Sequence, residues 1–264
     1  MTLAVRTIWL IAASLALVLC AFVWGYSVRA TKHLLWPPLN HLQRRSYGEV
    51  WDAIAVSAPA AAVAVSGQAE EDELRRSAIE TVQNIRNLVT IKTHDDVLEI
   101  GCGVARIGLE LAPHCRSWTG SDTSANMVRF AEERLRGVKN IRVVYLQEVG
   151  LAVFPDSSFD VVYSTNVFPH IDEIDRWRYA EEAFRVLRPG GRIFLDNVDI
   201  ESDLGWTMFA NDAKRFRNLE RPPYMPRYST AAELKAYATR AGFSRVQSHQ
   251  RGALVIVTAA KATA

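Results

Sequence analysis

Between Asp96 and Gly108 the chain reads DVLEIGCGVARIG: an apolar run holding one acid, Glu99, followed by Gly101-Cys102-Gly103. Glycines directly after a strand let the backbone turn sharply into a helix and approach a ligand closely. In the dinucleotide fingerprint G-x-G-x-x-G/A a pyrophosphate sits on the helix N-terminus, and the third small residue is part of the pattern. Here that sixth position is Arg106. Glu99 also argues against a pyrophosphate, because a carboxylate repels it and attracts a cation such as an amino group. Asp122, in GSDTSANMV, lies about 20 residues beyond the glycine turn, where an acid accepts hydrogen bonds from ribose hydroxyls. Met127, one turn into the next helix, is placed to pack against a base, and Glu148 to accept from an adenine amino group. Taken singly, Glu99 could cap a loop and Asp122 could be an ordinary acid at a helix start. In order, with the glycine turn between them, they point to a nucleoside that carries positive charge rather than phosphates.

These residues need a frame that brings them to one edge. From Asp96 onward strands and helices alternate. DVLEIG, SWTGSD, IRVVYLQ, FDVVYSTNV and GRIFLDNVDI read as strands, separated by helical segments such as SANMVRFAEERLRG and IDEIDRWRYAEEAFRVL. Ser124 is a candidate N-cap and Gly137 a stop for the first of these helices, while RPGG closes the second. TAAELKAYATRAGF forms the last helix, with Thr230 and Glu233 at capping-box spacing. SRVQSHQ and GALVIVTAA then form two strands joined by a short turn around Gly252. Such a turn forces an antiparallel pair, since a parallel crossover needs about a dozen residues or more. The expected fold is α/β: a doubly wound, mostly parallel seven-stranded sheet with a C-terminal antiparallel hairpin. Ligands of such sheets bind outside the carboxyl ends of the strands, and the fourth strand ends there at STNVFPHI, with Asn166 on the floor of the crevice.

At this point the chain resembles a class I S-adenosylmethionine-dependent methyltransferase of the methyltransferase-11 or -25 type. The resemblance is carried by VLEIGCGVARIG, SDTS, FPDSSFDVVYS and FRVLRPGGRIFL, from Asp95 to about Leu195, and the terminal GALVIVTA hairpin extends it. It implies S-adenosylmethionine as cofactor. Glu99, Gly101, Cys102 and Gly103 match the family's first motif, at the methionine end of the cofactor. Asp122, with Thr123 beside it, matches the ribose acid, and Met127 an adenine-packing residue. Glu148-Val149 stands where the family usually has an Asp before the residue whose backbone meets adenine, and Ala105 where many members have a third glycine.

For methyl transfer the protein chiefly supplies positioning, and a general base is needed only if the acceptor must lose a proton. His170, just after the fourth strand, is the candidate base; a structural histidine at a helix start is the alternative. Asp196, Asn197 and Asp199 follow the fifth strand and could touch the acceptor or cap a loop. Glu201 to Tyr228 is an insertion rich in aromatics, Trp206 among them, expected to roof the site together with the helix around Leu74 to Val89. The acceptor itself is not readable beyond a small-molecule or lipid-like class. STNVF lacks the Asn/Asp-Pro-Pro-Tyr/Phe pattern of amino-nitrogen methylation of bases, the net charge is only +2, and no basic stripe with aromatics is present, so no nucleic-acid partner is expected. The three cysteines fit neither a zinc site nor a disulfide framework, so no metal is expected.

The run from Thr7 to Val28 carries no charge, and roughly 20 apolar residues suffice to cross a bilayer. It is too long for a cleaved signal peptide, and no small-x-small site follows it. Arg29, Lys32, Arg44 and Arg45 lie after it and only Arg6 before it, which places the C-terminal bulk in the cytoplasm. The expected organisation is a membrane anchor over 1–30, a juxtamembrane connector over 31–70, and a methyltransferase domain over 71–264. Within the connector, Ala58 to Ala69 is either a weak helix with a loop or a hinge. A membrane-tethered protein that binds the cofactor without turnover, or serves as a scaffold, is the alternative function.

Overall fold

The computed structural model describes residues 46–263, and these form one compact unit that begins at Ser46. The apolar run over 7–28 lies outside the described residues. Among the described residues no single helix is long and apolar enough to cross a membrane.

The unit opens with three helices: α1 (Tyr47–Ile54), α2 (Ala58–Ser66) and α3 (Glu71–Val89). The first two were expected to belong to a connector. Instead α1 is closed at its start by a reciprocal capping box between Ser46 and Glu49, and α2 runs from the Ser57 cap to a left-handed Gly67. Ala55, Ala61 and Ala62 bury against Leu74 of α3 together with Val104, Met127 and Phe130. The described unit therefore includes α1 and α2 together with α3. Helix α3 buries Leu74, Ala78, Val82, Ile85 and Val89, the stripe its three-to-four-residue spacing predicts.

The alternating part follows as β1 (Asp96–Ile100), α4 (Arg106–Leu111), β2 (Ser117–Asp122), α5 (Ala125–Arg134), β3 (Ile141–Tyr145), β4 (Phe159–Ser164), α6 (Glu173–Val186) and β5 (Leu187–Val198). Then come α7 (Asp203–Arg215), α8 (Ala231–Arg240), β6 (Ser244–Arg251) and β7 (Leu254–Ala260). The seven strands form one sheet in the order β3-β2-β1-β4-β5-β7-β6. β1 to β5 are mutually parallel, and β7 pairs antiparallel with both β5 and β6. The expected topology is the observed one. RPGG does not wholly precede the fifth strand; it is drawn into the start of β5, where the register against β4 shifts. Residues 203–215, expected as part of a loop insertion, form a helix whose cap is Ser202, accepting from the Gly205 N–H at 3.0 Å.

Both faces of the sheet are covered. One packs Leu98, Val162, Ile193 and Leu195 under Tyr179 and Ala183 of α6 and Leu234 of α8. The other packs Val97, Val161 and Phe194 under Val82 and Ile85 of α3 and Ile107 of α4. Burial on both faces explains the apolar runs of β1 and β4; β2, SWTGSD, is equally buried but mostly small and polar. β3 and β6 are the edges, more exposed and studded with Arg142, Arg245, His249 and Arg251, charges that discourage pairing with another chain.

Candidate active site

At the carboxyl ends of the parallel strands lies a cavity of about 710 Å³. Its floor begins with the turn after β1. Gly101 and Gly103 both have positive φ, 68° and 52°. A methyl group on Gly101 would run into Val167, and one on Gly103 would meet Val65 at 2.6 Å. Only glycine permits this turn with its neighbours in place.

Glu99 sits beneath the turn, 2% exposed. It accepts a hydrogen bond from the Tyr163 hydroxyl at 2.6 Å, and that oxygen accepts in turn from Trp118 Nε1 at 2.9 Å. Burial pushes the Glu99 carboxyl from an ordinary 4.5 up to about 8, against the pull of Tyr163 and Arg106. Even with Arg106 nearby, burial leaves the group mostly protonated at neutral pH. Asp122, at the end of β2, accepts from the Gly103 N–H and the Ser124 N–H, each at 2.9 Å. Burial raises its pKa while these backbone donors oppose the rise. Each carboxylate oxygen keeps a further lone pair for a ligand hydroxyl. Cys102 is buried, and burial raises its thiol well above the ordinary range, which leaves it unreactive.

Of the residues the sequence singles out, Glu99, Gly101, Cys102, Gly103, Asp122, Thr123, Met127, Asn166, His170 and Asp196 all line this one cavity. Four others do not. Glu148 lies past the end of β3, its side chain 81% exposed and 3.7 Å from Arg178. Val149 packs instead against the core below the sheet. Asn197 faces away because side chains alternate along a strand: Phe194, Asp196 and Val198 reach the cavity, while Leu195 packs into the opposite core. Its Oδ1 accepts from the Val198 N–H at 2.7 Å. Trp206 is 56% exposed and tilts against Phe209, 5.4 Å between ring centroids. Two positions along a helix turn the side chain by about 200°, so Met208, not Trp206, meets the cavity. Asp199 caps its own loop by accepting from the Glu201 N–H.

His170 is half-buried at the rim. Its Nδ1 lies 2.8 Å from the Tyr224 carbonyl oxygen, which can only accept, so Nδ1 carries the hydrogen and Nε2 the lone pair. Burial lowers its pKa. The ring stands edge-on to Trp51 at 5.0 Å.

The roof is built as expected from α3 and the insertion, through Ser77, Glu80, Thr81, Asn84, Met208 and Pro226. Helix α1 completes it, with Tyr47 and Trp51 on the lining. Asp52 of α1 accepts from the Ser124 hydroxyl at 2.6 Å and the Asn126 N–H at 2.9 Å. On its other side the Tyr47 hydroxyl bonds Asp175 at 2.7 Å. Gly48 lets the helix touch the Thr123 carbonyl, with which any side chain there would collide. Arg106 is a second residue whose place in the site the sequence does not announce. It lines the cavity almost wholly buried, with Glu99 and Asp196 as its charged neighbours.

Residues 98–195 match the family model described as a methyltransferase domain. The chain is 28% identical over 193 residues to a phosphoethanolamine N-methyltransferase of Triticum aestivum, a match covering 70% of this chain and 37% of that one. It is 30% identical over 154 residues to the 27-O-demethylrifamycin SV methyltransferase of Amycolatopsis mediterranei, covering 57% and 55%. The chain thus spans less than two thirds of the length of either. A solved S-adenosylmethionine-dependent methyltransferase from Methanosarcina mazei is similar at 25% identity and a TM-score of 0.55, covering 69% of this chain and 98% of that one. Residues 98–195 are a class I methyltransferase domain. The solved neighbour is named as S-adenosylmethionine-dependent, and the residues present here fit that cofactor. The glycine turn is a cradle that any Cβ would fill, and Glu99 is a buried acid that an ammonium group in direct contact would hold in its charged form. Asp122 is fixed by two backbone N–H groups with lone pairs to spare.

Proposed function

We propose that the protein is an S-adenosylmethionine-dependent methyltransferase acting on a small-molecule or lipid-like acceptor. We further propose that the Thr7–Val28 run holds it at a membrane, with the catalytic unit on the cytoplasmic side. The observation that carries the reading is the convergence of Glu99, the Gly101–Gly103 turn and Asp122 on one cavity. Its volume lies within the range of small-molecule sites. The cofactor, when bound, supplies an electrophilic methyl group on sulfur.

The chain's own residues do the rest. Glu99 takes up the amino group, Asp122 the ribose hydroxyls, and Met127 packs against the base. Arg106 offers a cation to a carboxylate at the same end. Beyond them Phe194, Val198, Met208, Leu254 and Ile256 give the cavity an apolar end, which suits an acceptor with a hydrocarbon part. The two curated relatives are named for small-molecule acceptors, which supports that class without fixing its member. The charge asymmetry around residues 7–28 supports the membrane part.

Labelled-methyl transfer from S-adenosylmethionine into membrane extract and soluble metabolites tests the activity. A labelled product is expected; binding with no product in either pool would favour a cofactor-binding scaffold instead. Protease treatment of right-side-out and inverted vesicles tests the topology. Protection in the right-side-out vesicles is expected, and digestion there would overturn it.

A further inference from the structure

Asp196 is a buried carboxyl of the cavity with one oxygen that makes no hydrogen bond among the described residues. It sits near the carboxyl end of β5, 3% exposed, on the strand face that Phe194 and Val198 also present to the cavity. One oxygen is fixed: Oδ1 accepts the Asn166 N–H at 2.7 Å. Asn166 holds a left-handed conformation, φ 58°, which Asn adopts more readily than most residues other than glycine. The next residue, Val167, is the one that packs over Gly101. The pair 166–167 therefore ties Asp196 to the glycine turn, at the boundary between the cofactor end and the apolar end of the cavity. Oδ2 has no hydrogen-bond partner among the described residues.

We propose that Asp196 is the catalytic base that receives the acceptor's proton, and hence that the acceptor is a hydroxyl or amine carrying a removable hydrogen. This rests on the methyltransferase reading and deepens it. In the reaction the acceptor's oxygen or nitrogen lone pair forms the new bond to the methyl carbon. The carbon–sulfur pair stays on sulfur, and the acceptor's proton passes to Oδ2, leaving a neutral carboxylic acid that returns its proton to water. The environment suits the task. Burial pushes the carboxyl up to about 7, while the Asn166 N–H and Arg106 hold it from rising further, and a base is most effective near the working pH. The other charged or imidazole side chains of the same cavity are Arg106 of α4, Glu99 of β1, Asp122 of β2, Glu80 of α3, His170 after β4 and Arg251 of β6, with the Cys102 thiol and the Tyr47 and Tyr179 hydroxyls beside them. His170, with Nδ1 on the Tyr224 carbonyl, keeps a lone pair on Nε2, but it stands at the rim, edge-on to Trp51, whereas Asp196 lies at the boundary between the two ends of the cavity.

Asp196→Asn is the direct test, because the amide oxygen still accepts the Asn166 N–H. Two measurements accompany it on the purified full chain. Labelled-methyl transfer into membrane extract should fall about 100-fold or more at pH 7, with calorimetric affinity for S-adenosylmethionine within about threefold of wild type and the acid limb of the rate profile gone. Infrared titration of the cofactor-free protein should show a carboxylic-acid band that disappears near neutral pH in wild type and is missing in Asp196→Asn. Transfer at the wild-type rate, or no such band in the difference, would overturn the proposal. If Asp196→Asn does not fold, Asp196→Glu, which keeps a carboxylate, should retain measurable transfer with a displaced pH limb; an undisplaced limb would count against the assignment. A wild-type protein that transfers no methyl group would refute the functional reading, and the infrared band would still decide whether Asp196 takes a proton near neutrality.

Discussion

Glu99→Gln separates what the buried acid does for the fold from what it does for the ligand. The amide has the same shape and can still accept from Tyr163, but it does not titrate. In the folded protein the carboxyl is raised from 4.5 to about 8 by burial, whereas in the unfolded chain it is hydrated. The folded state therefore holds a proton that the unfolded state releases. The stability this gives is complete below pH 4.5 and is lost progressively as pH rises towards 8. At 1.36 kcal/mol per pKa unit, raising the pH from 5 to 7 costs wild type about 3 kcal/mol that the variant keeps. The assay is urea unfolding of both proteins at a series of pH values without cofactor. All other titrating groups are shared, so they cancel in the difference between the two proteins. The variant should gain on wild type by about 3 kcal/mol over that interval. A difference that stays flat within about 0.5 kcal/mol would refute the claim that Glu99 is protonated in the free protein. The same variant should bind S-adenosylmethionine at least about tenfold more weakly, because it cannot hold an ammonium with a full charge; unchanged affinity would remove Glu99 from the cofactor site.

Other consequences follow from the same geometry. Arg176 is fully buried and binds the Phe168 and Arg227 carbonyls and the Glu233 carboxylate, so Arg176→Ala should destabilise the fold by about 3 kcal/mol or more in urea unfolding. Gly103→Ala places a methyl against Val65 in a left-handed turn; calorimetry should show cofactor binding lost, and retained affinity would mean the turn is not a cradle. Asp52→Ala removes the bonds from α1 to Ser124 and Asn126, so stopped-flow measurement should find faster cofactor release with little change in the rate of entry.

The sheet was legible because both its faces are buried, which writes β1, β4 and the second half of β5 as short apolar runs; β2, SWTGSD, shows only by its place in the alternation. The terminal hairpin followed from a connection too short for a crossover. Glu99, the glycine turn and Asp122 were legible because their chemistry depends on where strands end, and strand ends show in sequence. Asn197 was misplaced although the alternation along β5 would have excluded it. Glu148 was misplaced because β3 stops at Tyr145, earlier than the apolar pattern suggests. Helix α1 carried its own signal, the Ser46-x-x-Glu49 capping box, but it is short and follows a Pro-Pro break. Its anchors, Ser124, Asn126 and Asp175, are distant in the chain, and no local pattern encodes such contacts. Arg106 had the position of a fingerprint mismatch; only the fold shows that it points into the cavity.

The central claim is that Glu99, the Gly101–Gly103 turn and Asp122 form a site for a cationic nucleoside. Calorimetric titration of the purified chain with S-adenosylmethionine and, separately, with NAD tests it most directly. Saturable binding of S-adenosylmethionine at one site per chain is expected, with no measurable heat from NAD. Binding of NAD, or no binding of S-adenosylmethionine, would contradict it.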